Sequence, residues 1–151
     1  MIHVKQLSIL FLIIIMAACK KEKAPAPTDD TIAILQSGDW KLTAFTISPA
    51  LNGITDVMQN IPPCAKDNLL QFKPNSIFYF DEGATKCDPL GAQRETGTWS
   101  YDPAIKQLKY SSPSLDFVID IKSINANSLN GTRIMTVNGA NYTYTGTLTK
   151  Q

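Results

Sequence analysis

The chain has one histidine in 151 residues, at position 3. A body without imidazole lacks the commonest general base and nitrogen metal ligand. Charge excess is missing too, with 14 Lys+Arg against 13 Asp+Glu. Lys5 is the one charged residue before position 19, so the remainder is neutral overall and carries no basic face for nucleic acid. No glycine-rich phosphate loop occurs. The run Leu7–Ala18 (LSILFLIIIMAA) has 12 residues, short of the roughly 20 that a membrane-crossing helix needs. Cysteine is scarce, at positions 19, 64 and 87 only, and none has a histidine to activate it.

Two aspartate pairs invite a chemical reading and do not sustain one. Asp29 and Asp30 lack the wider spacing of a calcium loop and read as a solvated linker end. Asp116 and Asp120 share a strand face as a glycosidase pair would, but alternation puts that face outside. The sequence therefore predicts no catalytic residue, no metal site and no cofactor.

What is present begins with an address. Lys5 and the short apolar run have the length and order of an export signal, ending in Met16-Ala17-Ala18-Cys19. Small residues directly before a cysteine resemble the lipobox of bacterial lipoproteins, with Met16 where leucine is usual. That resemblance implies cleavage before Cys19, acylation of its thiol and a membrane as partner; an ordinary secretory signal with a chance cysteine is the alternative. Acyl chains anchor by about 0.8 kcal/mol for each buried CH₂. Residues 1–18 thus read as a signal and 19–36 as a lipidated tether. The segment KKEKAPAPTDDT has no large apolar side chain with which to bury surface. Within the tether's end, Ile32–Leu35 reads as a short helical turn that leads into or plugs the domain at 37–151.

The stretch from Cys64 to Cys87 organises that domain. Two strand-like runs, Asn68–Lys73 and Ile77–Glu82, flank the turn Lys73-Pro74-Asn75-Ser76. In a hairpin centred between Pro74 and Asn75, Cys64 and Cys87 fall near one another at the open end, within reach of a disulfide. An export route supplies the oxidising compartment.

Earlier in the chain, Trp40, Leu42 and Ala44 alternate with polar residues, and the apolar phase then shifts to Phe45 and Ile47, which predicts a bulge near Ala44. Pro49 to Pro63 is a long connection with one helical turn at Ile54–Gln59, either a lid or a surface excursion. Five more strands follow the hairpin at 95–101, 105–111, 115–123, 129–137 and 142–149, the last two joined by Asn138-Gly139. Each carries one apolar face; Leu115, Phe117, Ile119 and Ile121 oppose Asp116, Asp120 and Lys122. The prediction is all-β: an eight-stranded antiparallel up-and-down barrel that hides its own edges, with a two-sheet β-sandwich as runner-up.

Gly38-Asp39-Trp40 matches the G-x-W motif of lipocalins, and Gly97-Thr98-Trp99 matches it again. With the lipobox, the polar tether, Cys64-Ala65-Lys66-Asp67 and Cys87-Asp88, the chain resembles the lipocalin-like domain lipoproteins of Gram-negative bacteria over residues 38–151. The resemblance implies a calycin-like small β-barrel in the cell envelope, most simply at the outer membrane. It departs from the lipocalin pattern in having no T-D-Y motif and no arginine in the last strand to pack on Trp40; Arg133 or Lys150 could substitute.

The aromatics form the one candidate site. Trp40, Phe72, Phe78, Phe80 and Trp99 fall on predicted inner positions, as do Tyr110, Phe117, Tyr142 and Tyr144. Such a set either fills a small barrel or lines a pocket. Buried tyrosine hydroxyls need partners, which favours a pocket for a small apolar or amphipathic ligand. The alternative is a structural or interaction lipoprotein, for instance an inhibitor or assembly accessory that meets an envelope protein.

Overall fold

A computed structural model describes residues 29–151. The expectations for residues 1–28, including the signal and Cys19, lie outside the described residues. One short helix, α1 (Thr31–Gln36), precedes nine strands: β1 (Asp39–Leu51), β2 (Ile54–Asp56), β3 (Leu69–Lys73), β4 (Ile77–Asp81), β5 (Arg94–Asp102), β6 (Gln107–Ser112), β7 (Leu115–Ile124), β8 (Ser128–Val137) and β9 (Ala140–Lys150). Neighbours from β3 to β9 pair antiparallel in sequence order, β1 pairs β3, and β9 returns to pair β1. The result is a closed eight-stranded barrel with β2 as an extra strand, so the sandwich alternative falls away. Closure leaves no long exposed edge.

The short turns explain the topology. Asn138 (φ 52°) and Gly139 (φ 80°) both take left-handed backbone, the pair of dihedrals that a two-residue hairpin needs. Asn52 (φ 52°) and Gly53 (φ 81°) repeat it between β1 and β2. The segment expected as a helical turn from Ile54 is instead strand β2 followed by one 3₁₀ turn, Val57–Asn60, whose first amides are capped by Asp56 (Met58 N to Asp56 Oδ1, 3.0 Å). The phase shift in β1 is a bulge at Thr43: Leu42 pairs Leu148, but Ala44 pairs Thr147. It turns both Leu42 and Phe45 toward the interior.

The two ends of the barrel differ. At one end α1 caps the opening. Leu35 is fully buried, and its carbonyl accepts a hydrogen bond from Trp40 Nε1 at 2.9 Å. Residues 31–36, assigned above to the tether, therefore belong to the folded body. A six-residue helix is too short to hold itself together in water, so packing on the barrel is what keeps it formed. Lys150 completes this end. It pairs Trp40 across the β1–β9 ladder, and its Nζ donates to Ser37 Oγ at 3.1 Å. Gly38 in Gly38-Asp39-Trp40 lies against the Lys150 stem, which an added Cβ would displace. Gly97 must be glycine, since a Cβ there would collide with the Ser111 backbone carbonyl across the β5–β6 ladder.

At the other end, Cys64 and Cys87 are bridged with a Cα–Cα distance of 5.1 Å. Asp67 ties the same loop down: its Oδ2 accepts from Ala84 N at 3.0 Å and Thr85 N at 2.8 Å. The Cys-x-Lys-Asp motif is thus a clasp of one disulfide and one carboxylate. β1 pairs β3 only from Asp39 to Lys41; beyond that point its edge goes to β2, between Thr46 and Leu51. The wall opens between β1 and β3, and the connection through residues 57–65 fills the gap.

Candidate functional site

Period-two alternation places one side chain in two inside the barrel, and depth along each strand then decides its role. Near the α1 end the interior is solid. Trp40, Phe72 and Phe78 are fully buried, and Trp99 nearly so. Phe72 meets Phe78 and Trp99 at 5.5 Å between ring centroids, and Trp99 Nε1 donates to Lys73 O at 2.8 Å. These four expected ligand residues are core, and core packing is what they contribute.

Above that layer lies a cavity of about 640 Å³ that opens at the disulfide end. Of the aromatics expected to face a ligand, Phe80, Tyr110, Phe117 and Tyr144 line it. Tyr142 does not; it lies two residues beyond Tyr144 toward the rim and is half-buried. Leu42, Phe45, Leu70, Leu129 and Leu148 supply much of the remaining wall, and Ile61 and Ala65 bring the 57–65 connection into it. The lining is chiefly apolar, as small-molecule sites are, with few polar groups.

Tyr110 is the boundary between core and cavity. It touches Phe72 and Phe78 below at 5.7 and 5.2 Å and stacks on Phe117 above, nearly parallel, at 5.6 Å. Burial drives its phenol well above the usual tyrosine pKa, and the nearby Arg133 charge opposes only part of that. Its hydroxyl has no hydrogen-bond partner among the described residues.

Arg133 was not among the expected site residues. It follows Leu129 and Gly131 on the inner alternation of β8 and pairs Tyr144 on β9. Its guanidinium lies over the Phe117 ring, 5.6 Å from the centroid, and Nη1 donates to the Asp116 carbonyl at 3.3 Å. It is therefore a cavity residue, and Lys150 takes the place beside Trp40 for which both were candidates. The signal was its phase in LNGTRIMTV, one apolar or glycine residue in two, with arginine on the inner count.

The acidic pairs considered earlier are accounted for. Asp29 accepts from Thr31 N at 3.0 Å and from the Tyr101 hydroxyl at 2.9 Å. Asp116 is exposed, and Asp120 accepts from Gln107 Nε2 at 3.2 Å. Among the described residues no group of three or more His, Cys, Asp or Glu could hold a metal ion.

A closed antiparallel barrel of eight strands, capped at one end and hollow at the other, is the lipocalin architecture. The chain belongs to the lipocalin-like domain family, whose model matches residues 37–131. No curated protein sequence matches it. Similar solved structures include the bovine odorant-binding protein complexed with its natural ligand, with 14% identity, 83% of this chain and 77% of that one covered and a TM-score of 0.43. The same bovine protein in complex with a selenium-containing odorant gives 13% identity, 86% and 77% coverage and a TM-score of 0.40.

Proposed function

We propose that this chain is a lipid-anchored binding protein of the Gram-negative cell envelope, held at the outer membrane by acylated Cys19, whose barrel carries a small apolar or amphipathic molecule. The observation that carries the binding reading is the apolar cavity of about 640 Å³, within the roughly 300–1,000 Å³ range of small-molecule sites. A barrel that served only as a scaffold would gain by filling that space with side chains, since interior voids cost stability. The anchor rests on Leu7–Ala18 and Met16-Ala17-Ala18-Cys19. The lipocalin fold is typically one of binding and transport, which agrees with a site that holds rather than converts its ligand.

The test is titration of the soluble Cys19→Ser chain with fatty acids, retinoids, haem and a fluorescent apolar probe. Saturable uptake that a folded Phe117→Ala variant loses supports the pocket. The alternative is an interaction lipoprotein that meets an envelope protein. No response to any ligand, with one envelope protein enriched by the membrane-bound chain, would favour that reading.

A further inference from the structure

We infer that the cavity takes a single-chain amphiphile with an anionic headgroup, and that Arg133 holds that headgroup. The inference rests on the binding reading above and names its ligand class.

Among the described residues that line the cavity, Arg133 is the one cation. It reaches no carboxylate among the described residues, where the ion pairs are Lys73–Asp39 and Arg94–Asp81. Asp116, the acidic residue nearest in the wall, offers Arg133 its carbonyl and stands exposed on an outward position of β7. A guanidinium has five N–H donors in a rigid fork, and one described hydrogen bond engages it. Arg133 is half-buried in the cavity wall, so its remaining donors are available there to a counter-charge on a ligand.

The guanidinium is also held in place. Tyr110, Phe117 and Arg133 come together across β6, β7 and β8, with Tyr110 and Phe117 at an 8° interplanar angle and the guanidinium carbon over the Phe117 ring at 5.6 Å from its centroid. The Phe117 ring and the Asp116 carbonyl restrain the guanidinium before any ligand arrives, so less freedom is lost on binding. A carboxylate or phosphate matches that fork with two parallel hydrogen bonds. The alkyl part then lies along Leu70, Leu129 and Leu148, deeper in the barrel. A neutral apolar molecule would use the same wall and leave the cation unanswered.

The experiment uses the purified Cys19→Ser chain loaded with N-phenyl-1-naphthylamine, a neutral fluorescent probe. It is displaced by dodecanoic acid, dodecyl phosphate or dodecanol, in the parent and in Arg133→Gln and Arg133→Lys variants of matched thermal stability. The expected result is that the acid, the phosphate or both displace the probe at least about tenfold better than the alcohol, and that in Arg133→Gln the ratio of acid or phosphate to alcohol displacement falls to about one. Arg133→Lys retains part of the advantage, because the charge persists and the fork does not. The ratio of acid to phosphate decides which headgroup is preferred. Equal displacement by acid and alcohol, or an unchanged preference in Arg133→Gln, overturns the anion site and leaves the cavity reading standing. Failure of the probe and all three ligands to bind overturns both.

Discussion

Gly131 and Gly146 face each other across β8 and β9 on the inner wall of the barrel. Neither is at a positive φ, so backbone freedom is not what the position asks for. Space is. An added Cβ at Gly146 would lie 3.6 Å from Leu42 Cδ1 and 3.9 Å from Phe45 Cδ2, ordinary contacts, whereas at Gly131 it would crowd Ile119 Cδ1 at 3.0 Å. Two absent side chains on one rung widen the cavity where a filled barrel would have closed it. Gly146→Leu is therefore expected to stay folded, with a stability change within about 1–3 kcal/mol, and to lose apolar-probe uptake by at least about tenfold. Gly131→Leu is expected to cost more stability, because Ile119 must move. Thermal melting and probe titration of both variants check this.

The barrel was legible in the sequence because period-two alternation survives in every long strand, and the bulge in β1 showed as a phase shift between Ala44 and Phe45. Depth along the strands was not legible. Alternation tells inside from outside but does not separate Phe78, in the solid core, from Phe80, on the cavity wall. Glycines at 131 and 146 carry no hydrophobic signal, so the rung that makes the cavity was silent. Asn52-Gly53 was a hairpin signal obscured by its context: the strand it opens, Ile54–Asp56, has three residues, too few for periodicity to register. Arg133 was weighed as a partner for Trp40; its phase on β8 fits the cavity, while register across the β1–β9 ladder gives Trp40 to Lys150.

The Cys64–Cys87 bridge spans 23 residues and clasps the open end beside Asp67. Reduction is expected to destabilise the chain by about 3 kcal/mol, the loop-closure entropy that the bridge removes from the unfolded chain. Urea unfolding with and without reductant checks the size. Mass spectrometry of non-reduced peptides should show the two cysteines linked, and free thiols in the native protein would contradict the bridge.

The plug at the capped end yields a sharper test, because Leu35 is the fully buried residue that carries α1 into the core. Leu35→Ala removes a fully buried side chain and should cost about 2–5 kcal/mol. It also loosens the carbonyl that Trp40 Nε1 donates to, so tryptophan emission should shift red in the folded variant. Ile32→Ala, at a position 45% exposed in the same helix, is the control and should change stability by less than about 1 kcal/mol.

The proposed anchor predicts a fractionation result. Cys19→Ser should move the protein from the membrane to the soluble fraction, since the acyl chains and not the barrel would hold it there. A Ser variant that still sediments with membranes would refute the anchor.

Stability should depend on pH at both extremes and not between them. On the acid side, hydrogen bonds from Ser112 and Ser114 hold Glu95 below its ordinary value of 4.5. At Asp81, burial pulls upward, but hydrogen bonds from Gln93, Gly83 N and Arg94 outweigh it and hold the carboxyl below 3.8. A carboxylate with a depressed folded pKa stabilises fully above its unfolded value and loses that contribution as pH falls through the folded one. On the alkaline side, burial raises the phenols of Tyr110 and Tyr101 above 10.0. Their contribution is complete below the unfolded value and is lost as pH rises toward the folded one, because the unfolded chain gives up its protons first. Urea midpoints are therefore expected to be level from about pH 5 to about pH 9 and to fall on either side. Glu95→Gln should shrink the acid-side fall and leave the alkaline limb alone. Tyr110→Phe keeps the stack on Phe117 and should shrink the alkaline fall only. A midpoint that drifts steadily between pH 6 and 8 would contradict the assignment, since no described group with a shifted pKa titrates there.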